Sequence, residues 1–276
     1  MASEKGGMQE GRDKAREKFR QSTPEERERV FGEGYFWGEK SNYYGDKGYR
    51  GFDSDRYWEP VTEVMKRYLE DRAGSIKYLD VGGACGYLAK RVPFRVENTH
   101  IVDISKFALD VAKADWDKTH PLSKGQRQTK QADINEGLPF PDGFFGCVTA
   151  MDILEHLNDP GNALKEIARV MEDGGLLITD VPITDTLAGK IWNKSDKDTT
   201  HISVPNREEI LRKLAEAGFQ VTELRYATPL PGVQLPFPRI NMQTVSVKTT
   251  MSADEIMAGY KDTFPKATFL KPAGEP

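Results

Sequence analysis

The sequence has little cysteine, no excess of basic residues and no long apolar run, and each absence excludes a class of protein. Cys85 and Cys147 are the two cysteines among 276 residues, and no Cys-x-x-Cys pair occurs. This argues against a disulfide framework and a structural zinc site, and it fits a reducing compartment. Both cysteines fall in strand-like segments, so we interpret them as small buried residues rather than reactive thiols.

Charge and hydropathy narrow the class further. Lys and Arg total 39 against 43 Asp and Glu, for a net charge of -4, whereas a nucleic-acid-binding domain usually has a clear basic excess. No apolar run approaches the roughly 20 residues of a membrane span, and the polar start Met1–Lys5 has no signal-peptide core. We therefore expect a soluble cytoplasmic protein without a membrane partner, and the acidic charge balance argues against a nucleic-acid partner. The oligomeric state stays open.

Residues 1–56 are expected to form a tail, a short helix and an aromatic segment ahead of the main domain. Up to about Gln21 the chain is predicted to be a frayed tail or a loosely held helix. Thr23-Pro24-Glu25-Glu26 then predicts a helix start with a capping box. Between Phe31 and Trp58, ten aromatic residues alternate with glycines. Such a segment suits a lid over a ligand and equally a loop packed on the core. The candidate substrate-contacting lid residues are Tyr35, Trp37, Tyr43 and Tyr44.

Residues 57–250 show a regular alternation of strand and helix patterns, and residues 251–276 form a C-terminal tail with one predicted helix. The pattern predicts an α/β fold: a doubly wound, Rossmann-like, seven-stranded sheet with helices on both faces. Thr228–Pro238 is too short and too rich in proline for a crossover helix, so we expect a terminal antiparallel hairpin. The predicted strands are 76–81, 99–103, 128–133, 145–151, 176–181, 220–226 and 244–248.

A glycine-rich turn follows the first predicted strand, where such sheets bind ligands. The run Gly82–Gly86 does not match G-x-G-x-x-G, so NAD or FAD has little support. Asp80, just before the turn, would oppose a pyrophosphate but could pair with an ammonium group. Asp103 ends the second strand, where a carboxylate can accept both ribose hydroxyls. The residues therefore imply a ligand with a ribose and a cationic amino-acid end, although an ordinary tight turn remains the alternative.

Several ordered motifs resemble those of class I S-adenosylmethionine-dependent methyltransferases. The resemblance covers roughly Tyr57 to Lys248, and it is greatest to small-molecule methyltransferases of the ubiquinone-biosynthesis type. It implies S-adenosylmethionine as the cofactor. The motifs are Tyr78–Gly86, Val102–Ser105, Gln131–Ile134, Leu138–Phe145, Asp152–Leu157, Arg169–Gly175, Thr200–Ile202 and Ala217–Phe219.

The resemblance also implies roles for individual residues. It places the turn glycines against the methionine part of the cofactor, Asp103 on the ribose, Asp133 on the adenine amino group and Met151 beside the sulfonium. Ala84 occupies a position where the family commonly has glycine. The methyl group of alanine would be tolerated there if the backbone has a negative φ. The implied cofactor residues are Asp80, Gly82, Gly83, Gly86, Asp103, Ile104, Asp133, Ile134 and Met151.

Methyl transfer from a sulfonium is an in-line displacement that depends mainly on positioning and exclusion of water, and it requires no metal. A hydroxyl acceptor is helped by a general base, for which His156 and His201 are the candidates. Each is otherwise a structural histidine. The leading hypothesis is transfer to a small molecule, such as a natural product, sugar or quinone. The alternatives are methylation of RNA or protein, and a cofactor-binding protein without methyl transfer. Whether oxygen, nitrogen or carbon is methylated stays open.

Overall fold

The computed structural model describes residues 2–37, 45–230, 233–235 and 240–263. Within them, eight strands form one sheet in the order β3-β2-β1-β4-β5-β8-β6-β7. The strands are β1 (Tyr78–Val81), β2 (Thr99–Asp103), β3 (Gln128–Gln131), β4 (Phe145–Met151), β5 (Met171–Pro182), β6 (Phe219–Leu230), β7 (Val233–Leu235) and β8 (Asn241–Lys248). The helices are α1 (Ala2–Arg20), α2 (Pro24–Val30), α3 (Glu33–Phe36), α4 (Asp55–Leu69), α5 (Lys106–Thr119), α6 (Pro160–Val170), α7 (Leu187–Ser195), α8 (Arg207–Glu216) and α9 (Ala253–Thr263).

The strand order places a crevice between β1 and β4. Strands β1 to β5 are parallel, and the chain runs outward from β1 through β2 to β3 before returning to β4 on the other side of β1. Connections that leave β1 and β4 in opposite directions open a ligand crevice at the carboxyl ends of the strands. The predicted doubly wound α/β sheet is confirmed.

The antiparallel C-terminal strands are confirmed as well. β8 lies between β5 and β6 and is antiparallel to both. The count of seven strands needs one correction, because Val233–Leu235 forms an eighth strand that pairs with the end of β6. That strand lies inside the proline-rich stretch, where no alternation of apolar and polar residues indicated a strand.

Apolar side chains cover both faces of the sheet, as parallel strands require. On one face, Leu79 and Val148 belong to a core with residues of α6 and α8. On the other face, Tyr78 and Cys147 belong to a core with residues of α4 and α5. Both cysteines are buried and free, as the sequence indicated, and burial raises the pKa of each thiol. No helix in the described part of the chain is long and apolar enough to cross a membrane.

The N-terminal residues are ordered more firmly than the sequence suggested. α1 is a helix of 19 residues, and three of its arginines donate hydrogen bonds to the segment that follows α7. Arg16 donates to the carboxylate of Asp196 at 2.9 Å, and Arg20 donates to the carbonyl oxygen of Ile202 at 2.8 Å. Of the two alternatives expected for this segment, the structure shows the helix. Its arginines attach it to the segment after α7.

Local helix signals were partly correct. The capping boxes at Thr23 and Asn206 are both present. α4 begins at Asp55, so Pro60 lies inside the helix. Residues 87–91, which follow the glycine-rich turn, form only turns, with hydrogen bonds such as that from the Lys90 amide to the Gly86 carbonyl.

Candidate active site

The turn after β1 depends on glycine at two positions. Gly82 has a φ of 68°, and a Cβ there would lie 2.8 Å from the Ile153 side chain. A Cβ on Gly83 would lie 2.7 Å from Ile101 and 2.9 Å from the Asp80 carboxylate. Any side chain would displace a neighbour. The turn therefore passes close to the carboxyl ends of β1 and β2, and its backbone stays accessible to a ligand.

Ala84 adopts a positive φ of 44°, contrary to the negative value that would suit alanine. Its amide donates a 2.9 Å hydrogen bond to Oδ2 of Asp103. The hydrogen bond holds this amide in the turn while the residue keeps a left-handed backbone, which costs an alanine about 1 to 2 kcal/mol. The negative φ under which alanine would be tolerated at this position is therefore not observed.

We expect Ala84→Gly to stabilise the protein by about 1 kcal/mol, because glycine adopts the left-handed region without steric cost while losing only part of that gain to chain entropy. The measurement is the free energy of unfolding in urea. Ala114→Gly, on the exposed side of α5, is the matched control and should destabilise by about 1 kcal/mol. Equal destabilisation by both variants would contradict a strained Ala84.

Two buried carboxylates flank the turn. Oδ1 of Asp103 accepts the Ser105 amide at 2.8 Å and Oδ2 accepts the Ala84 amide, while burial raises the pKa of this carboxyl to about 6. Oδ1 of Asp80 accepts the Thr149 hydroxyl at 2.7 Å, and burial raises the pKa of Asp80 to about 7. Each carboxylate thus pays a desolvation cost in the absence of a cationic ligand.

We expect Asp80→Asn to stabilise the ligand-free protein by about 2 kcal/mol at pH 8. The folded-state pKa of about 7 lies above the ordinary 3.8, so protonation favours the native state. The contribution of the Asp80 carboxyl to the free energy of unfolding is therefore fully present below pH 4 and is lost as the pH rises through 7. The advantage of the variant should vanish near pH 4 in urea titrations. The exposed Asp71→Asn is the control, and a gain independent of pH would contradict the assignment.

A cavity of about 500 Å³ lies at this end of the sheet. It places the turn and the ends of β1, β2 and β4 in one space with the N-terminal aromatic residues and the segment after α7. The residues singled out from the sequence that line it are Tyr35, Asp80, Gly82, Gly83, Asp103, Ile104, Met151, His156 and His201. The same cavity is thus lined by the turn glycines, by the carboxylates of Asp80 and Asp103, and by both histidines.

Asp133 and Ile134 line a small adjoining cavity of about 40 Å³, which shares Gly82, Asp103 and Ile104 with the larger one. Oδ2 of Asp133 accepts a hydrogen bond of 2.5 Å from Arg27 of α2, and both side chains are over 90% buried. Arg27 also donates to the Ser22 carbonyl, which fixes the guanidinium in place. The N-terminal helices therefore cover the position that the family resemblance implies for adenine, with Phe31 lining both cavities.

The two histidines lie together, with ring centroids 4.7 Å apart. Nδ1 of His201 is 2.8 Å from Oδ2 of Asp196, and Nδ1 of His156 is 2.9 Å from the Thr200 hydroxyl. The pKa of His156 is lowered to about 4, first by burial and then by the neighbouring His201. His156 is therefore neutral at physiological pH.

Four of the predicted site residues are not among those that line the two cavities, and two of these four lie outside the described part of the chain. Gly86 has a φ of 71°, and a Cβ there would lie 3.0 Å from the Cβ of Ala112, so it serves packing and does not line either cavity. Trp37 contacts Phe107 and carries the Arg50 guanidinium over its ring, also outside both cavities. Tyr43 and Tyr44 lie outside the described residues.

Sequence reasoning missed the residues that orient the histidines. Asp196 and Asp198 are buried in the connection after α7, and the Thr200 hydroxyl donates to Oδ1 of Asp198 at 2.5 Å. The available signal was the spacing Asp-x-Asp-x-Thr-His, which places acidic side chains next to a histidine. Arg27 was missed because nothing local distinguishes it from the other charged residues of α2.

Residues 52–224 match the family model described as "Methyltransferase domain". The chain belongs to this family, the class I S-adenosylmethionine-dependent methyltransferases, and the resemblance drawn from the motifs is confirmed. S-adenosylmethionine is the methyl donor of the family.

Curated relatives agree with this assignment. A probable S-adenosylmethionine-dependent methyltransferase of Mycobacterium tuberculosis is 28% identical over 183 residues, which cover 63% of this chain and 60% of the relative. The chain thus matches less than two thirds of that protein's length. A ubiquinone/menaquinone biosynthesis C-methyltransferase of Vibrio cholerae is 32% identical over 192 residues, which cover 59% of this chain and 72% of the relative.

Solved structures share the fold. A structure from Thermotoga maritima, described as a methyltransferase and possible histamine N-methyltransferase, has a TM-score of 0.53 at 16% identity and covers 73% of this chain and 94% of its own. A second structure is magnesium protoporphyrin IX methyltransferase from Synechocystis, solved with bound S-adenosylhomocysteine (SAH). Its TM-score is 0.54 at 14% identity, and the alignment covers 70% of this chain and 82% of that one.

Proposed function

We propose that this protein transfers the methyl group of S-adenosylmethionine to a small-molecule acceptor. The observation that carries the proposal is a cavity of about 500 Å³ whose lining includes the turn glycines, Asp80 and Asp103 together with both histidines. This volume lies in the range of small-molecule sites. A reaction between donor and acceptor needs both in one space that excludes water.

The cofactor would lie against the carboxylates and the turn glycines. Asp80 can pair with the ammonium group of the methionine part, and Asp103 can accept the ribose hydroxyls. Met151, at the end of β4, lines the same cavity and would border the sulfonium. The positive charge of the cofactor supports this orientation, because it would favour the charged forms of two carboxyls whose pKa is raised by burial. Asp133 would accept the adenine amino group after its cavity widens.

The acceptor would lie against the histidines, with His156 or His201 as general base for a hydroxyl. Asp196 holds Nδ1 of His201 at 2.8 Å, an arrangement that leaves Nε2 to take a proton. Tyr35, whose hydroxyl donates to Asp198 at 3.0 Å, would border the acceptor. The coverage of the crevice by α1 to α3 favours a small acceptor over RNA or a protein surface.

The test combines calorimetry with a transfer assay. S-adenosylmethionine and its demethylated product should bind to the full-length protein at one site. Label from methyl-labelled cofactor should then enter the small-molecule fraction of a cell extract, and the transfer should fall at least 100-fold in His201→Gln but not in His120→Gln. Label found only in macromolecules would refute a small acceptor. Absence of cofactor binding would refute the function altogether.

A further inference from the structure

Glu155, His156 and His201 form a compact set of three side chains with the donor atoms that metals prefer. One carboxylate oxygen and one ring nitrogen from each imidazole all lie within 4.8 Å of one another. Metal–ligand bonds of about 2.1 Å require donor atoms within about 4 Å of one another, which small side-chain rotations achieve. We propose that these three residues bind one first-row divalent cation.

The backbone holds the set together across the fold. The carbonyl oxygen of Glu155 accepts hydrogen bonds of 2.9 Å from the amides of both Ile202 and Ser203. This fixes His201, which precedes them, beside the turn that carries Glu155 and His156. Residues 45 positions apart in the chain are thereby brought to one point.

The hydrogen bonds of the two histidines use their Nδ1 atoms and leave both Nε2 atoms available to a metal. The Thr200 hydroxyl donates to Asp198 at 2.5 Å, so its oxygen accepts from Nδ1–H of His156. Nδ1–H of His201 donates to Asp196. Both Nε2 atoms therefore keep their lone pairs. A metal-binding histidine usually donates its other ring N–H to an acceptor such as a carboxylate, as His201 does to Asp196.

The glutamate supplies a second, independent observation. Glu155 is 1% exposed, and its Oε2 is buried without a hydrogen-bond partner. A buried carboxylate oxygen without a partner is costly and requires an explanation. A cation bound at this oxygen provides one.

The surrounding charge favours a cation over a neutral ligand. The carboxylates of Glu155, Asp196 and Asp198 are all buried around the two imidazoles. Arg16 pairs with Asp196 at 2.9 Å, and Lys197 lines the same cavity but is itself exposed. A divalent cation would bring this cluster close to neutrality.

The donor set selects the class of metal and of acceptor. Two imidazoles and one carboxylate, with positions left open, suit Mn²⁺, Fe²⁺, Co²⁺ or Zn²⁺ better than Mg²⁺ or Ca²⁺. The set lines the cavity that also contains Met151, so the open positions face the acceptor space. If the proposed function holds, the acceptor is a molecule whose hydroxyl or oxyanion coordinates the cation. The imidazoles then act as ligands, and this role replaces that of general base.

The test measures metal binding directly. Untagged full-length protein is stripped with EDTA, dialysed and titrated with Co²⁺, which is followed by its visible absorption and displaced with Zn²⁺. We expect one equivalent of Co²⁺ to bind, with affinity reduced at least tenfold by Glu155→Gln and by His201→Gln. Asp196→Asn should weaken binding about tenfold through the second partner of His201. His120→Gln, at the end of α5 opposite the cavity, is the matched control and should bind as the wild type does.

Circular dichroism of each stripped variant establishes that it is folded. Absence of saturable Co²⁺ binding by the wild type would overturn the proposal, and so would equal affinity in the folded Glu155→Gln and His201→Gln variants. Calorimetry with S-adenosylmethionine on the same stripped protein keeps the two proposals separate. Cofactor binding without Co²⁺ binding would remove the metal site and leave the proposed function intact.

Discussion

Asp103→Asn is expected to weaken the binding of S-adenosylmethionine about 100-fold, which corresponds to about 2.7 kcal/mol. Both oxygens of Asp103 accept a backbone amide, one from Ser105 and the other from Ala84. An asparagine has one oxygen and one amino group, so it would direct N–H against N–H at one of the two positions. The turn would shift, and an acceptor for the ribose would be lost at the same time. Calorimetry at pH 8 measures the effect.

Asp110→Asn is the matched control for this experiment. Asp110 lies on the exposed side of α5 and pairs only with Lys106, at 2.5 Å, among the contacts that the structure describes for it. Its substitution should leave the dissociation constant unchanged. If Asp103→Asn bound the cofactor as tightly as this control does, the assignment of the ribose site would be refuted.

Arg27→Met is expected to lower the free energy of unfolding by about 3 kcal/mol. The guanidinium and the Asp133 carboxylate are both over 90% buried and 2.5 Å apart. Removing one partner leaves an uncompensated buried charge, which costs more than the net contribution of the pair. Urea denaturation measures the loss. We also expect weaker cofactor binding, because Arg27 positions the carboxylate assigned to adenine.

Two further variants separate charge from packing. Arg29 lies on the exposed side of the same helix. Arg29→Met should change the free energy of unfolding by less than about 0.5 kcal/mol. The double variant Arg27→Met/Asp133→Leu removes both charges and should recover most of the stability that the single variant loses. If Arg27→Met were as stable as Arg29→Met, the interpretation of Arg27 and Asp133 as a buried ion pair would be contradicted.

The alternation of strands and helices was readable from the sequence because it depends on local chemistry. Buried parallel strands such as β4 read as continuous apolar runs, and side chains at Thr23 and Asn206 cap helices within three residues of themselves. The position of Asp103 at the end of β2, beside the turn after β1, followed from the strand pattern and the rule that ligands bind beyond the carboxyl ends of parallel strands.

The tertiary structure alone decided which distant side chains meet. Arg27 and Asp133 are 106 positions apart, and Arg16 and Asp196 are 180 apart, so no periodicity links them. The hydrogen bond from the Ala84 amide to Asp103 joins the turn to the end of a neighbouring strand, 19 positions along the chain. The grouping of Glu155 with His201 depends on backbone hydrogen bonds to residues 202 and 203. Such contacts arise from packing between elements, and local sequence patterns carry no information about that packing.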